Sequence, residues 1–332
     1  MTSASRKRLA VVVVNYRTAA MTLDCLTSLE AQIDPARDVV ALVDNASADG
    51  SAEKLAAAVT QRGWQTWVRL IEADANRGFG AGNNIALRAV DADYYLLLNS
   101  DTLVQPGALS SLLRTANREP SVGLWGPRLE GVDGSVQVSC FRNHSPISEL
   151  IDAAATGPIT RLLAPFDVPL RNADARSRPG WVSFACVLVR RQVFQQIGLL
   201  DEGYFMYFED ADVCRRACRA GWGIRYCPEA RVVHLVGGSS AVDACTAARQ
   251  RLPEYYYRSR TRYYAKFYSR PGLLAANVLW LTGRSIAWLR EPLGNKRPHA
   301  RACAARDIWS GFRRPRQPWL AAARAAEGEG AP

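Results

Sequence analysis

Histidine is scarce in this sequence, and its cysteines do not form metal-binding pairs. The 332 residues include three His and eight Cys, and no Cys-x-x-Cys spacing occurs. Structural zinc sites are built from closely spaced Cys and His, so a zinc module is not expected. Cysteines that remain reduced indicate a cytoplasmic chain.

Long apolar runs are missing as well. The first apolar run covers only residues 9–14, and no small-residue cleavage site follows it, so a secretory signal is not expected. Residues 273–289 are apolar, but they number 17 and include Arg284, which is short for a membrane-spanning helix. These absences favour a cytoplasmic protein. The length of 332 residues is enough for one large domain, or for a domain with an appendage.

Negative charge is sparse only towards the C-terminal end. Residues 251–332 carry 16 Lys and Arg against 5 Asp and Glu, whereas the first 250 residues carry 26 of each sign. The net charge of +11 therefore belongs to a C-terminal extension, which can face anionic lipid or nucleic acid. We divide the chain into a domain of residues 1–250 and a basic, aromatic, helical extension of residues 251–332 that is disordered at its end.

Two interpretations of residues 273–289 remain open. An interfacial helix at an anionic membrane surface fits the apolar composition, the nearby aromatic residues and the basic flanks. This interpretation places the protein peripherally at the inner face of the cell membrane. The alternative is a helix that packs on the main domain.

The first 120 residues alternate between strand-like and helix-like patterns. Apolar, β-branched runs predict strands, and helical spacing of apolar residues predicts the helices between them. The predicted strands are 9–16, 38–51, 67–73 and 94–101, of which 38–51 includes the polar turn that ends the strand. The predicted helices are 19–32, 51–63, 76–90, which begins with a glycine-rich turn, and 106–119. This alternation predicts an α/β fold with a mostly parallel sheet flanked by helices.

From residue 122 the pattern becomes less regular. Short strands with glycine turns are expected after it, and two short strands within 224–240. Residues 141–180 contain five prolines and are expected to form an irregular loop. A strand followed by a helix is predicted over 180–198, and a helix over 208–223.

Polar side chains follow three of the predicted strands. The clusters are Asn15, Tyr16 and Arg17; Asp44 and Asn45; and Asn99, Ser100 and Asp101. Ligands of parallel sheets bind at the carboxyl ends of the strands, so a site is expected there. Asp101 is well placed to bind a divalent cation that bridges two phosphates, although Asn-Ser-Asp is also good turn chemistry. Asp44 is a candidate acceptor of hydrogen bonds from a base or ribose, or a turn residue.

A glycine-rich segment and one histidine carry further candidate chemistry. Residues 76–84 have glycine at alternate positions, which lets a ligand approach the backbone, and the following helix offers free N–H groups to phosphate. His234 lies near an apolar strand, where a structural role is the alternative to metal ligation.

The densest acidic cluster lies within residues 201–221. Glu209 and Asp210 near a helix start have no obvious partner, so one of them is a candidate for accepting a proton from an attacking hydroxyl. Asp212 can pair with Arg215 or Arg216 and is interpreted as structural. Helix capping is the alternative role for the first two carboxylates.

These motifs together resemble the inverting family-2 glycosyltransferases of GT-A fold, and more narrowly their bacterial rhamnosyltransferase-like branch. The matching segments are VVVVNYRT, LVDNASADGS, NRGFGAGNN, LLLNSD, and DEGYFMYFEDADVCRRACRAG followed by VVHLVGGSS. They occur in the family's order over residues 9–240. Each motif is weak alone, and the ordered set is specific.

The resemblance implies a role for each matching position. Asp210 is the implied catalytic base, with Glu209 beside it. Asp101 is the implied metal-binding carboxylate of the family's DXD-type motif, and His234 matches a position that ligates metal in related galactofuranosyltransferases. The nucleotide-sugar is implied to contact Asn15, Tyr16, Arg17, Asp44, Asn76, Arg77, Gly78, Gly80, Asn83, Asn99 and Ser100.

One position departs from the family's pattern. Asn99 stands where the first Asp of DXD would be, so it brings no charge but can hydrogen-bond to ribose or orient a water. The metal would rest on Asp101, His234 and the donor's diphosphate, which suits an Mg²⁺ or Mn²⁺ that keeps water ligands. The rhamnosyltransferase-like branch has the same Asn-Ser-Asp, so we do not interpret it as a sign of inactivity.

The function implied by the resemblance is transfer of a sugar from a nucleotide donor, with dTDP-L-rhamnose as the first candidate. The implied acceptor is a hydroxyl of a lipid-linked saccharide or polysaccharide precursor in cell-wall or polysaccharide biosynthesis. Galactofuranose, glucose and N-acetylglucosamine donors are the alternatives. A nucleic-acid-binding protein is disfavoured because the neutral body carries the motifs. An inactive binding module is disfavoured because Asp101, Asp210 and His234 are intact. The oligomeric state stays open.

Overall fold

The computed structural model describes residues 6–235, 242, 245–246, 248, 250–291 and 303–319. The predicted disorder at the end of the chain concerns residues outside these ranges. The strands are β1 (Lys7–Asn15), β2 (Asp38–Asp44), β3 (Val68–Glu72), β4 (Ala92–Asn99), β5 (Thr102–Val104), β6 (Val122–Glu130), β7 (Cys140–Phe141), β8 (Trp181–Val182), β9 (Cys186–Arg190) and β10 (Gly223–His234). The helices are α1 (Ala19–Glu30), α2 (Ser51–Gln61), α3 (Phe79–Ala89), α4 (Ala108–Arg118), α5 (Pro146–Ala154), α6 (Gly157–Leu162), α7 (Arg191–Ile197), α8 (Glu209–Arg219), α9 (Glu254–Arg290) and α10 (Ala304–Asp307).

Eight of these strands form one mixed, mostly parallel sheet with the order β3-β2-β1-β4-β9-β6-β10-β5. β1 pairs in parallel with β2 and β4, β2 pairs in parallel with β3, and β6 pairs in parallel with β10. β9 runs antiparallel between β4 and β6, and β5 runs antiparallel to β10. The predicted α/β fold is confirmed, and each strand and helix predicted in the first 120 residues is present.

The central strands are apolar along their length because helices cover both faces of the sheet. Residues 10–13 of β1 expose at most 1% of their surface. One face of the sheet packs against α1, α2 and α4, and the other packs against α3, α7 and α8. Burial on both faces is the reason that the first strand shows no polar alternation.

Residues 141–180, predicted to be irregular, contain α5 and α6. The N–H of Ser148 donates to the side chain of Ser145, and Pro146 occupies the first position of α5. Proline is favoured at the first helical position because an N–H there would have no intrahelical acceptor, so proline, which has no N–H, loses no hydrogen bond. The prediction of an irregular loop is wrong because one of its prolines begins a helix.

Residues 224–240 also differ from the prediction. The described part of this segment belongs to one strand, β10, instead of two short ones. The register against β6 shifts between Cys227 and Arg231, which is the irregularity that resembled a strand break in the sequence.

Helix α9 packs along the body of the molecule in two halves. It bends at Ser269, whose φ of 61° is not helical, shortly before Pro271, which cannot donate a backbone hydrogen bond. The first half joins an aromatic cluster around Phe208. In the second half, a Cβ at Gly283 would lie 2.5 Å from the carbonyl oxygen of Leu150 in α5, so the two helices touch closely.

The opposite face of the second half of α9 is apolar and open. Leu274, Val278, Trp288 and Leu289 expose between 45% and 64% of their surface. The segment therefore packs on the body through one face and leaves a second apolar face uncovered by the described residues. Within the described chain, no helix combines the length and apolarity that crossing a bilayer requires. The domain boundary at residue 250 stays a prediction.

Candidate active site

The three polar clusters after the predicted strands meet at one edge of the sheet, which we call the strand edge. Asn15 at the end of β1 lies opposite Asp44 at the end of β2, and Val14 lies opposite Asn99 at the end of β4. The carboxyl ends of three parallel strands therefore coincide. This is the position in which open α/β sheets bind their ligands.

Asp44 is held by a buried hydrogen-bond network at the strand edge. Asn15 Nδ2 donates to Asp44 Oδ1 at 2.6 Å, and the N–H and hydroxyl of Ser47 donate to the same carboxylate at 3.0 and 2.6 Å. The hydroxyls of Thr18 and Thr22 donate to Asn15 Oδ1 at 3.2 and 2.9 Å. Asn15 is fully buried. It therefore fixes the position of Asp44 and does not present its own side chain to solvent.

Tyr16 and Arg17 are the more accessible members of this cluster. The backbone N–H and Nε of Arg17 donate to Ser47 Oγ and Ser47 O, both at 3.0 Å. Arg17 has a left-handed φ of 59°, and its guanidinium lies 5.2 Å from the centroid of the Tyr16 ring. The two neighbouring loops are thereby locked together at the strand edge.

Two glycines of residues 76–84 are required by close packing. Gly78 has a φ of 96°, and a Cβ there would overlap the carbonyl oxygen of Phe205 in the loop that precedes α8. A Cβ at Gly82 would lie only 2.9 Å from Cγ1 of Val14 in β1. At Gly80 a Cβ would make an ordinary van der Waals contact, 3.5 Å from Cβ of Leu200, so packing does not require a glycine there.

The polar residues of the same segment hold it against β2. Asn76 Oδ1 accepts from Asn45 Nδ2 at 3.0 Å and from the N–H of Gly78 at 2.9 Å. Asn83 is buried and donates to a backbone carbonyl of its own helix at 2.9 Å. Arg77 is exposed. Asn45, which was not among the predicted contacts, links the two loops, and its Oδ1 is buried without a hydrogen-bond partner among the described residues.

Asp101 and His234 approach each other at the strand edge. His234 Nε2 lies 3.5 Å from Asp101 Oδ1, because the antiparallel pairing of β10 with β5 places His234 opposite Thr102. Both side chains are largely buried. Nearby, Ser100 exchanges a hydrogen bond of 3.0 Å with Thr18. The two predicted metal ligands are thus brought together although they are far apart in the sequence.

Gln137 orients the imidazole of His234, and sequence reasoning missed it. Its Nε2 donates to the carbonyl of His234 at 2.9 Å, and its Oε1 lies 3.2 Å from His234 Nδ1. When Gln137 Oε1 accepts a hydrogen bond from His234, the imidazole carries its proton on Nδ1. Nε2 then has a free lone pair, which is directed towards the side on which Asp101 lies. No local pattern around Gln137 signals this contact.

The side chains near Asp101 and His234 fit a divalent cation only when a bound ligand supplies further oxygen atoms to it. Among the described residues, no group of three or more His, Cys, Asp and Glu side chains could hold a metal ion. Asn99 Oδ1 is buried and has no hydrogen-bond partner in the described chain. One carboxylate, one imidazole and an unpaired amide oxygen leave positions for phosphate oxygens and water, as Mg²⁺ and Mn²⁺ prefer.

Glu209 and Asp210 begin α8 and are largely shielded from solvent. Burial raises the pKa of both carboxyls, and the charge of Asp210 raises the pKa of Glu209 further. Glu209 Oε2 is buried without a hydrogen-bond partner among the described residues, whereas Asp210 Oδ1 accepts from the N–H of Ala211 at 2.7 Å. A carboxylate whose pKa lies nearer to neutrality is a better proton acceptor at neutral pH.

Asp212, in contrast, is a structural residue, as predicted. It is fully buried between Arg216 Nε at 2.6 Å and Lys266 Nζ at 2.5 Å. Lys266 and Arg262 of α9 also pair with Asp201, at 2.8 and 2.7 Å. Sequence reasoning found the pairing with Arg216 four residues away but missed the cations of α9, which lie more than 50 positions further along the chain.

The sequence and the fold both resemble those of known sugar-transferring enzymes. Residues 6–265 match the model of the family described as glycosyltransferase like family 2. An N-acetylglucosaminyl-diphospho-decaprenol L-rhamnosyltransferase of Mycobacterium tuberculosis is 35% identical over 249 residues, which is 71% of this chain and 78% of that protein. The rhamnosyltransferase WbbL of Escherichia coli is 26% identical over 164 residues, which is 47% of this chain and 60% of that protein.

Solved structures share the fold at low sequence identity. A mannosyltransferase of Pyrobaculum calidifontis, in complex with GDP-Man and Mn²⁺, covers 94% of this chain and 82% of its own, with a TM-score of 0.55 and 15% identity. GalNAc-T7, in complex with UDP, GalNAc and Mn²⁺, covers 87% of this chain and 57% of its own, with a TM-score of 0.56. The chain therefore belongs to glycosyltransferase family 2 and is a glycosyltransferase of GT-A fold.

Proposed function

We propose that the chain transfers an L-rhamnosyl group from dTDP-L-rhamnose to a hydroxyl of a lipid-linked saccharide, with inversion at the anomeric carbon. The observation that carries the proposal is the approach of His234 Nε2 to Asp101 Oδ1, at 3.5 Å, at the strand edge. The choice of donor and acceptor is supported by the rhamnosyltransferases named among the relatives.

A divalent cation would be held by Asp101 and His234, with diphosphate oxygens and water completing its shell. Such an ion, when bound, would neutralise the negative charge that develops on the leaving nucleoside diphosphate. Asn99 provides a neutral oxygen in place of a second carboxylate. The protein therefore presents less negative charge to the diphosphate than a site with two carboxylates would.

Asp210 acts as the general base. An acceptor hydroxyl has a high pKa and is a poor nucleophile until its proton is removed. As its oxygen forms a bond with the anomeric carbon, the bond from that carbon to the diphosphate oxygen breaks, and the hydroxyl proton passes to the Asp210 carboxylate. One in-line displacement inverts the configuration and needs no covalent intermediate.

The nucleoside end of the donor is assigned to the loops after β1 and β2. Asp44, fixed by Asn15 and Ser47, is the proposed acceptor for hydrogen bonds from the base or ribose. Tyr16 and Arg17 are proposed to contact the nucleotide from the loop after β1, and Arg77 from the glycine-rich segment.

A peripheral membrane location is part of the proposal. A lipid-linked acceptor lies at a membrane surface, and the exposed apolar face of α9 adjoins the most basic part of the chain. Apolar residues that enter the headgroup region and cations that meet anionic lipid support each other. This arrangement would deliver the acceptor to the body of the enzyme.

The test is transfer by the full chain to a synthetic polyprenyl-diphosphate-linked N-acetylglucosamine, followed by mass spectrometry and NMR of the new linkage. Separate reactions contain dTDP-L-rhamnose or nucleotide-activated galactofuranose, glucose or N-acetylglucosamine. We expect transfer from dTDP-L-rhamnose, with inversion, only when Mg²⁺ or Mn²⁺ is present. Preferential use of another nucleotide-sugar would contradict the assignment of dTDP-L-rhamnose as the donor. Undiminished transfer in excess chelator would contradict a role for a metal ion in the reaction.

A further inference from the structure

We infer that a cavity between α5, α6 and both halves of α9 binds an uncharged sugar unit of the acceptor, an assignment that rests on the proposed function. We call it the α9 cavity. Its volume is about 460 Å³, within the range of roughly 300–1,000 Å³ that is usual for small-molecule sites. None of the residues named above as donor contacts lines it.

The walls of the α9 cavity combine aromatic rings with paired charges. Trp181, Phe208, Tyr256 and Trp280 supply apolar surface from three different parts of the chain. Rings of this kind pack well against the C–H face of a sugar and keep water away from it. A saccharide also needs hydrogen-bond partners for its hydroxyls, which the remaining walls supply.

Arg260 is the most informative of the polar residues in the α9 cavity. It is only 3% exposed, and its Nε has no hydrogen-bond acceptor among the described residues. Its NH1 donates to Asn277 Oδ1 at 2.8 Å, and its NH2 lies 2.9 Å from Glu149 Oε2. These two partners fix the guanidinium in the wall of the cavity, so Arg260 and Glu149 present a pre-ordered, paired polar surface to a ligand.

The charge of the α9 cavity indicates which ligand it takes. Glu149, Asp152 and Asp167 line it together with Arg171 and Arg260. Two of these carboxylates are already paired with the two guanidinium groups, at 2.6 and 2.9 Å. No cation is left over for a diphosphate, whereas paired carboxylates and guanidinium groups are suitable partners for neutral hydroxyls.

His144 adds no positive charge to the α9 cavity. Its ring lies against those of Trp181 and Phe208, with centroid distances of 5.5 and 5.0 Å. Burial lowers the pKa of this imidazole to about 4, so it is neutral at physiological pH. The lining therefore stays without surplus cations in the neutral pH range.

Two backbone connections join the α9 cavity to the catalytic carboxylates. Phe208, which lines the cavity, immediately precedes Glu209 and Asp210 at the start of α8. Trp181 begins the short segment that reaches Phe184, whose backbone hydrogen-bonds to Asp210. An acceptor sugar in the cavity would thus be held by the same segments that hold the base.

The first experiment measures binding without transfer. The probe is methyl N-acetyl-β-D-glucosaminide, titrated into the full chain while tryptophan fluorescence and saturation-transfer NMR are recorded. We expect saturable binding that Thr160→Trp, which fills the α9 cavity from α6, weakens at least about tenfold. Thr60→Trp is the matched control, because Thr60 lies on the exposed face of α2 and its hydroxyl makes the same hydrogen bond to the carbonyl four residues earlier.

The second experiment separates this inference from the proposed function. Acceptor-independent hydrolysis of dTDP-L-rhamnose reports donor binding alone, and it should be unchanged in Thr160→Trp and in Asp152→Asn. The KM for the polyprenyl-diphosphate N-acetylglucosamine acceptor should rise in both variants, while the KM for the donor stays constant. Equal binding of the glycoside by wild type and Thr160→Trp would overturn the inference, as would its failure to bind. Absent hydrolysis of any nucleotide-sugar would instead contradict the proposed function.

Discussion

The strand edge and the α9 cavity are built in different ways. At the strand edge the hydrogen bonds join the ends of paired strands and the loops that follow them, such as Asn15 of β1 with Asp44 of β2. In the α9 cavity the decisive contact joins Glu149 to Arg260, which come from separate helices more than 100 positions apart. The strand edge is thus organised by the sheet and its loops, whereas the α9 cavity exists only when α9 is docked.

This difference predicts that substitutions in the two regions affect different steps of the reaction. Damage to the strand edge should affect every reaction of the donor, including its hydrolysis. Damage to the docking of α9 should affect transfer and stability first. Asp210 is the proposed base of the transfer step itself, so its loss gives the largest effect.

Asp210→Asn should lower transfer by about 10²–10⁴-fold, because the acceptor proton loses its base. Nucleotide affinity, measured by calorimetry with dTDP, should change little, since no donor contact is removed. Asp133→Asn, at an exposed turn, is the control and should transfer normally. Wild-type turnover by Asp210→Asn would assign the base to another group.

Asp101→Asn should weaken metal-dependent donor binding and lower both hydrolysis and transfer, by on the order of 10²-fold. The amide keeps the size of the side chain and removes the charge that a cation needs. Donor binding is measured by titrating dTDP-L-rhamnose at increasing Mn²⁺ concentrations. An unchanged Mn²⁺ dependence would contradict the assignment of Asp101 as a ligand.

Lys266→Met should destabilise the folded chain by about 3 kcal/mol, the low end for breaking a buried ion pair, because Arg216 still faces Asp212. Asp201 also loses a partner. Urea unfolding measures the change. Lys54→Met on the exposed face of α2 is the control and should stay within about 0.5 kcal/mol of wild type.

The pH profile of transfer should show an acidic limb set by Asp210. The base must be ionised to accept a proton, and burial raises its pKa, so activity should be lost as pH falls through this raised value. The rate should drop about tenfold per pH unit below it. A rate that stays constant down to about pH 4, near the ordinary value for Asp, would contradict the role of a buried base.

Replacing Trp288 and Leu289 by Ser should weaken sedimentation with vesicles that contain anionic phospholipid, by on the order of tenfold or less, because two exposed apolar side chains are removed. Val132→Ser is the matched control, since Val132 is equally apolar and more exposed but lies on a turn far from α9 in the sequence. Equal sedimentation of all three proteins would leave α9 as a packing helix only.

The fold of the first 120 residues could be predicted because each strand and helix there carries its own periodic pattern. The coincidence of Asn15, Asp44 and Asn99 followed from strand direction alone. Residues 141–180 could not be predicted from composition, because Pro146 begins a helix there. The spacing Ser145-Pro146 followed by Ser148 is the local signal that identifies it.

The candidate site was predictable in its carboxylates but not in the residues that position them. Gln137, Lys266 and Arg260 make contacts across 54 to 111 positions of sequence, and nothing nearby in the chain requires those partners. The role of Gly78 was also not predictable, since its close neighbour Phe205 comes from a distant loop. Long-range packing produces no periodic pattern in the sequence. The roles of these residues can therefore be recognised only in the folded molecule.

The ion pairs that α9 makes with Asp201 and Asp212 also bear on the order in which the protein is made. Asp201 leaves the ribosome 65 residues ahead of Lys266, a delay of several seconds at about 5–20 residues per second. Until then Asp212 has only Arg216 to balance it, and the aromatic cluster around Phe208 lacks the rings of α9. A nascent chain therefore cannot complete the surroundings of Asp210 until the first half of α9 has emerged, so catalytic competence follows the synthesis of α9.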